Sequence, residues 1–582
     1  MMFHPFLSRA ARRWKFYVTV ITPLVLLPLP LGIATPEAKC AYAVLVVTIF
    51  WMCEVVPLAV TSLLPVVLFP LLGVLTTDAV CKNYMKETNM MLLAGIMAAI
   101  AIEDCNLHRR IALKVLMYVG GSTKWILFGF MGTTAFLSMW ISNTATTAMM
   151  LPIADSIINE LFSEDSKDRK PSVYIVPTQA NGNNDRFQVG RSTEVLTNGE
   201  MEESSTDIEM GGKDDALQKG RVRRCILLSI AYAANLGGTG TITGTGTNLV
   251  LMENLYSNFG QGTGVNFATW MIFNIPSMVL MIFLAWLWLQ ISILGPRQLC
   301  KTDHKDNVSK VKALIRKQYV SLGPITFHET LILSLFVILV LLWAFRSPEF
   351  IPGWADLFPH KGIKDSVAGL LIVFIMFVLP SKFDWFCGRS SDRTLDLPPP
   401  RALTWASVQS KVPWGVLLLM GGGFALADAS SVSGLSKWLG NQLTGLKAFP
   451  SVAIVTIVCT MTAMLTEVAS NTATATILMP VLVDMSRAIC VNPLYLMIPA
   501  TISCSYAFML PIATPPNAIV FEASKMSNVQ MIKPGIVMNL LCILTLVLMI
   551  NTYGVYLFDL DKFPDWADKT NATQCNITSP VS

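Results

Sequence analysis

Apolar positions form long runs along this chain, and polar positions gather between them. Runs near 16–34, 40–57, 58–75, 89–105, 223–255, 268–294, 327–345, 363–380, 412–428, 493–526 and 530–555 are apolar. Each is close to, or longer than, the roughly 20 residues that cross a ~30 Å hydrocarbon core. Two further stretches, 124–162 and 450–489, are apolar but interrupted near their middles. The pattern predicts an all-α polytopic membrane protein with about eleven transmembrane helices and two re-entrant hairpins. Segment 163–222 is rich in Asn, Ser, Gly and Glu without apolar periodicity, and reads as a disordered cytoplasmic loop.

Composition fits this reading. Of 582 residues, 53% are hydrophobic and 14% charged, and the mean hydropathy is +0.54. Soluble domains carry about 25% charged residues, so a soluble enzyme and a disordered chain are both excluded, and membrane lipid is the expected surroundings. A net charge of +5, dispersed along the chain, does not suit a nucleic-acid partner. The five histidines have no metal-ligand spacing, and the twelve cysteines include no CxxC pair. Neither a zinc site nor a disulfide framework is expected.

Charge also orients the chain. Arg9, Arg12, Arg13 and Lys15 precede the first run with no acid among them, which places the N-terminus in the cytoplasm. Segment 295–326 holds seven basic and two acidic residues and reads as a cytoplasmic linker, whereas 256–267 holds no charge and reads as extracellular. Residues 1–39 then form the cytoplasmic N-terminus and first span. Residues 556–582 form an extracellular tail, where Asn571 and Asn576 open two glycosylation sequons.

An internal repeat locates the candidate site. Residues 142–152 read SNTATTAMMLP and 470–480 read SNTATATILMP, with Pro152 and Pro480 at the same offset. GTGTNLVLME at 244–253 and ATPPNAIVFE at 513–522 form a second pair, matching Asn248 to Asn517 and Glu253 to Glu522. The spacings agree once loop 163–222 is removed. The repeats cover 40–294, with hairpin 124–162, and 327–555, with hairpin 450–489. Five spans in each insert the second copy upside down, the inverted-repeat plan of secondary transporters, whose sites lie where helices break near the midplane.

The repeated residues suit an anion and a hard cation. Ser-Asn-Thr offers hydroxyls and a carboxamide without net charge. The helix following each triplet is expected to take Asn143/Thr144 or Asn471/Thr472 as N-cap and to aim its unpaired amides at the tip, where a carboxylate or sulfate can bind without a lysine. Gly244, Gly246, Pro515 and Pro516 interrupt their apolar runs and free backbone carbonyls for cations. No Lys or Arg falls in these segments, while Glu54, Glu253, Glu467 and Glu522 lie in or near them. A dianion there needs counter-charge, and co-bound Na+ is its expected source. No nucleophile–base pair or metal cluster marks the site as an enzyme's.

The stretches SNTATTAMM, SNTATATILMP, ITGTGTN, PIATPPNAIVF and WMCEVVPL resemble the divalent-anion:sodium symporter family. The likeness is closer to its animal branch of sodium/dicarboxylate, sodium/citrate and sodium/sulfate cotransporters, and runs from about residue 16 to 570. The resemblance implies a plasma-membrane homodimer with scaffold and transport domains, moving di- or tricarboxylates (succinate, citrate and related Krebs-cycle intermediates) with several sodium ions by an elevator mechanism. By position it implies one sodium site at Ser138, Ser142, Asn143 and the backbone of Gly244–Gly246, and a second at Thr466, Ala469, Asn471 and the Ala513 carbonyl. It implies substrate contacts from Ser142, Asn143, Thr144, Thr245, Ser470, Asn471 and Thr472. Thr247 stands where carboxylate carriers tend to have Pro, which resembles the sulfate carriers. Thr472 stands where sulfate carriers tend to have Pro, which resembles the carboxylate type. Carboxylates are the favoured substrates and sulfate the alternative.

Overall fold

The computed structural model describes residues 14–119, 122–161, 198–260, 262–295, 305–348, 351–358, 362–382, 400–442, 445 and 448–567. Arg9, Arg12, Arg13, the sequons at Asn571 and Asn576, and residues 163–197 of the polar segment lie outside these.

Among the described residues there is no β-strand; an isolated bridge joins Pro380 and Arg401. The principal helices of the first half are α1 (Trp14–Leu26), α2 (Pro36–Cys53), α3 (Leu64–Leu72), α4 (Glu87–Asp104), α5 (Leu107–Val119), α6 (Thr123–Ser138), α7 (Asn143–Leu161), α8 (Asn198–Gly237), α9 (Gly246–Phe259) and α10 (Phe267–Leu289). Those of the second are α11 (Lys305–Ser321), α12 (Phe327–Ala344), α13 (Asp365–Val378), α14 (Trp414–Ser433), α15 (Leu435–Gln442), α16 (Ser451–Thr466), α17 (Asn471–Ile489), α18 (Pro493–Ser503), α19 (Pro515–Ser524) and α20 (Asn528–Met549).

Among the described residues eight helices, counted with their short continuations, are long and apolar enough to cross a membrane, so the protein is polytopic. Its surface shows why. In Trp14–Ile33 only 11% of the apolar window is buried against protein, and Leu71 and Phe374 stand exposed on other helices. Serine, threonine and asparagine side chains are meanwhile buried in number. Such an inside-out distribution is stable only when lipid covers the outside.

Several sequence expectations change. Run 58–75 is two short helices, Leu58–Thr61 and α3, because the chain bends at Ser62: its hydroxyl accepts from Trp51 Nε1 at 3.2 Å and its carbonyl accepts from the Tyr84 hydroxyl. The last part of segment 163–222 is helical, since α8 begins at Asn198 in a stretch rich in Glu, Met, Lys and Gln, all good helix formers. Much of linker 295–326 is likewise the helix α11. Cys490 is disulfide-bonded, against the expectation of none, while the eight other cysteines among the described residues are free.

The halves share their construction helix by helix. Helices α6 and α16 have 16 residues each, and α7 and α17 have 19 each with Pro152 and Pro480 inside. Helices α2 and α12 have 18 residues each and start at capping threonines, Thr35 and Thr326. Reciprocal caps open α10 (Asn266 with Thr269) and α20 (Ser527 with Gln530), and each helix passes into a π-helical turn, at Gln290–Leu294 and Ile550–Gly554.

One buried ion pair ties the halves together. Helix α5 is amphipathic, with Arg109 and Lys114 exposed, but Arg110 turns inward. Its Nε donates to Glu329 Oε1 at 2.9 Å, and its other nitrogens donate to the carbonyls of Leu322, Gly323 and Pro324. Both side chains are nearly inaccessible, at 6% and 5% exposure. Breaking a buried pair from one side costs about 3–5 kcal/mol, because the remaining charge stays desolvated. Arg110→Ala is therefore expected to lower the thermal midpoint of the purified protein and its surface level. An unchanged melting curve would contradict this account.

Candidate functional site

Each SNT motif sits where one helix stops and the next starts. Helix α6 ends at Ser138 and α7 begins at Asn143; α16 ends at Thr466 and α17 begins at Asn471. The expected caps shift by one residue. Ser142 and Ser470 occupy the N-cap positions, with Ser142 Oγ accepting from Ala145 N at 3.2 Å, while Asn143 and Asn471 are the first helical residues. The asparagines are not caps because their carboxamides turn back across the tip. The first intrahelical bonds run from Thr146 N to Ser142 O and from Thr474 N to Ser470 O, so the preceding amides have no carbonyl of their own helix.

At each tip three oxygens converge. Ser138 Oγ lies 2.7 Å from Asn143 Oδ1 and 2.7 Å from the Ala234 carbonyl. Thr466 Oγ1 lies 2.6 Å from Asn471 Oδ1 and 2.8 Å from the Cys504 carbonyl. A hydroxyl has one proton, so it donates to one of its two neighbours at a time. The result is a compact set of hard oxygen donors, repeated in the two halves, of the kind that coordinates Na+ at unwound helices.

The broken helices are held open by a second duplicated device. Helix α8 ends at Gly237, a 3-10 turn covers Ile242–Gly244, and α9 starts at Gly246; α18 ends at Ser503 and α19 starts at Pro515. Asn248 Nδ2 donates to the carbonyls of Gly238 (3.1 Å) and Thr241 (2.7 Å). Asn517 Nδ2 donates to those of Ala507 (2.8 Å) and Leu510 (3.0 Å). The donors stand ten and seven residues beyond their acceptors in both halves.

Each tip helix also packs on the other half's broken helix, α7 on α19 and α17 on α9. Gly246 is a point of close approach, since a Cβ there would sit 3.0 Å from Thr472 Oγ1. Gly238 is as confined: its Cβ would lie 2.8 Å from Asn143 Oδ1. Gly237 abuts the Ala135 backbone, and Gly421, Gly422 and Gly423 abut Tyr84, Ser62 and Thr476, so these glycines serve close packing.

Around the tips, Ser142 and Thr144 are exposed. Asn143, Thr245, Gly246, Ala469, Ser470, Asn471 and Thr472 are half-buried, and Ser138, Gly244, Thr466 and Ala513 are buried. Thr245 is extended and makes no capping bond. Thr247 is buried, and its hydroxyl contacts Asn248 Oδ1 rather than the tip.

Of the acidic candidates, Glu467 alone is built into a tip. Its carboxylate accepts from the amides of Phe508 (2.8 Å), Met509 (3.0 Å) and Leu510 (3.0 Å) and from Asn539 Nδ2 (2.8 Å). Glu253 is bound by Lys86 at 2.9 Å and by Thr88, away from the tips. Glu54 is an exposed helix C-cap whose carbonyl accepts from Lys15, and Glu522 is exposed. Sequence reasoning missed the Ala234 and Cys504 carbonyls, Asn235 (to Thr514 Oγ1, 3.3 Å) and Asn539. The matched pair Asn248 and Asn517 was visible as a landmark, yet its latch role needed coordinates.

Comparison with known proteins gives a consistent picture. A family model described as the sodium:sulfate symporter transmembrane region matches residues 10–560. The human Na(+)/dicarboxylate cotransporter 3 is 41% identical, covering 97% of this chain and 96% of that protein. The rat Na(+)/citrate cotransporter is 39% identical over 96% and 97%. Human solute carrier family 13 member 2 is 41% identical over 97% and 98%.

Gly238 provides a direct test of the first oxygen cluster. A methyl group there must displace the Asn143 carboxamide from Ser138. Gly238→Ala is expected to raise the Na+ concentration giving half-maximal thermal stabilisation roughly three- to tenfold, the loss of one modest polar contact. Sodium stabilisation identical to wild type would remove Asn143 from the cluster.

Proposed function

Because the chain belongs to the sodium:sulfate symporter family, we propose that it is a sodium-coupled symporter importing di- and tricarboxylates such as succinate and citrate. The observation that carries this reading is the pair of oxygen clusters around Asn143 and Asn471, each beside a helix start whose first amides bond no carbonyl of their own helix. Relatives spanning nearly the whole chain, named for dicarboxylate or citrate cotransport with Na(+), support the substrate class.

On this reading Na+ is cargo, held first by Ser138, Ser142, Asn143 and the backbone of Gly244–Gly246. The second ion is held by Thr466, Ala469, Asn471 and the Ala513 carbonyl. Substrate carboxylates meet Ser142, Asn143, Thr144, Thr245, Ser470, Asn471 and Thr472. The helix starts supply amides and positive dipole ends to the carboxylates, and the sodium ions offset the remaining charge.

Eleven spans and two re-entrant hairpins accommodate both the eight long helices and the shorter apolar ones. The inverted repeat places the halves in opposite orientations, the hairpins and broken helices move as a transport domain against a scaffold, and two copies assemble in the plasma membrane. The N-terminus is cytoplasmic and the tail extracellular, glycosylated at Asn571 and Asn576.

Sulfate is the second reading, favoured by Thr247 beside Gly246. Thr247 is equivalent to Pro516, in the first turn of the matching helix, where a backbone N–H is dispensable. Thr247→Pro is therefore expected to reach the surface normally while changing apparent substrate affinity. Labelled succinate uptake should fall to background when choline replaces sodium, and citrate, not sulfate, should compete. Asn143→Ala and Asn471→Ala should each lower uptake roughly tenfold or more, the effect of about 1.4 kcal/mol, with surface amounts retained. Sodium-independent uptake, or full activity in both variants, would overturn the reading.

A further inference from the structure

We propose that α5 and α11 together form a docking surface for the headgroups of anionic phospholipids. The two helices pack against each other, and α11 also packs on α7. Arg110 of α5 lies 5.7 Å over the Tyr319 ring of α11, and its nitrogens hold the carbonyls of Leu322, Gly323 and Pro324 just beyond that helix. This joint fixes one helix against the other.

Each helix buries one face in the protein and turns basic residues outward. On α5, Leu107, Leu113 and Leu116 are buried, while Arg109 and Lys114 are exposed. On α11, Val311 and Ile315 are buried, while Lys312, Arg316 and Lys317 are exposed. Lys312 and Arg316 stand one turn apart and share a stripe.

The acids at this end of the molecule are engaged elsewhere. Glu103 and Asp104 are held by Lys411 at 2.8 and 2.7 Å, Glu329 by Arg110, and Asp155 by Arg223 at 2.9 Å. The described side chains of α5 and α11 include no acid. Among the described residues, none of the five outward cations has a carboxylate at ion-pair distance. Their counter-charge comes from outside the protein.

The surroundings point to lipid rather than bulk water. Tyr118 is 81% exposed and follows Lys114 by one turn, and Val320 and Ile325 are exposed just after Lys317. Exposed Trp125 stands in the first turn of α6, and exposed Trp405 and Trp414 flank Lys411. Tryptophan and tyrosine gather at headgroup depth, where one side of the ring meets acyl chains and the polar tip meets water. Lysine and arginine reach from the same depth with their stems along the apolar boundary. Two spans deliver the surface to that boundary: α4 ends at Asp104, and α12 begins at Phe327, where Glu329 holds Arg110. Phosphate accepts paired N–H bonds from arginine. Each basic residue near an anionic leaflet strengthens the attraction roughly fivefold. Such lipids line the cytoplasmic face, the side expected for segment 295–326.

The inference is independent of what the protein carries. Full-length protein in a neutral detergent is titrated with phosphatidylserine or phosphatidylcholine in choline chloride, without sodium or carboxylate, and its thermal midpoint is followed. Phosphatidylserine is expected to raise the midpoint and phosphatidylcholine to leave it unchanged. Added salt should erase the difference, since exposed charges are screened within about 8 Å at ~0.15 M. Arg316→Gln should raise the phosphatidylserine concentration giving half-maximal stabilisation roughly fivefold. Adding Lys312→Gln and Lys317→Gln should remove the response, and exchanging lysine with arginine at the same three positions should keep it. Equal stabilisation by both lipids, an undiminished response in the triple glutamine variant, or the same stabilisation by inorganic phosphate would overturn the proposal. Where a variant fails to fold, photoreactive phosphatidylserine on the wild-type protein decides. Labelled peptides from 109–118 and 312–320 support the surface, and labelling confined to other segments removes it.

Discussion

A helix that unwinds inside an apolar medium must find partners for every amide and carbonyl it releases, because neither lipid nor water supplies them there. Both halves of this protein meet that demand in the same way. One asparagine beyond each break, Asn248 or Asn517, reaches back with a single amide group to hold two released carbonyls. The carbonyls of Ala234, which also accepts from Gly238 N, and of Cys504 meet the hydroxyls of Ser138 and Thr466. The oxygens at each tip thus combine side-chain groups with carbonyls that lie beside the break.

The halves differ where they fill this plan. Counted from the helix starts, the position equivalent to Glu467 is Met139. In the second half the carboxylate collects three consecutive amides from residues 508–510. In the first, the Met139 carbonyl instead accepts from the Thr241 hydroxyl. The helix restarts differ too. Pro515 and Pro516 stiffen one, with no amide hydrogen to lose. The other has Gly246, where a Cβ would crowd Thr472 Oγ1 at 3.0 Å. A charged clamp in one half and a neutral one in the other give the two oxygen clusters unequal surroundings, so two bound cations need not be equivalent.

Much of this was legible in the chain itself. Doubled SNT triplets, matched Asn248 and Asn517, and prolines at equal offsets located both tips and both breaks, since local breaking chemistry is written in Gly, Pro and short polar residues. Helix lengths were less legible. Run 58–75 reads as one span by hydropathy alone, yet Ser62 and its partners Trp51 and Tyr84 divide it. That division depends on residues eleven and twenty-two positions away. The cap position slipped by one because an asparagine can cap forward or reach backward, and Ser138 draws Asn143 backward. The disulfide at Cys490 was invisible because no CxxC spacing marks it in the chain.

The absence of basic side chains at the tips has a thermodynamic consequence for the proposed symport. A lysine would bind a dianion whether or not sodium were present, and uptake could then run uncoupled. Neutral hydroxyls and helix-start amides bind it weakly alone, because a desolvated double charge is poorly offset by dipoles. One sodium ion about 4 Å from a carboxylate contributes about 4 kcal/mol at an effective dielectric near 20, before the cost of dehydrating it. By linkage the anion then strengthens sodium binding by the factor with which sodium strengthens the anion's. Tight coupling in such a site follows from what the tips lack as much as from the oxygens they hold.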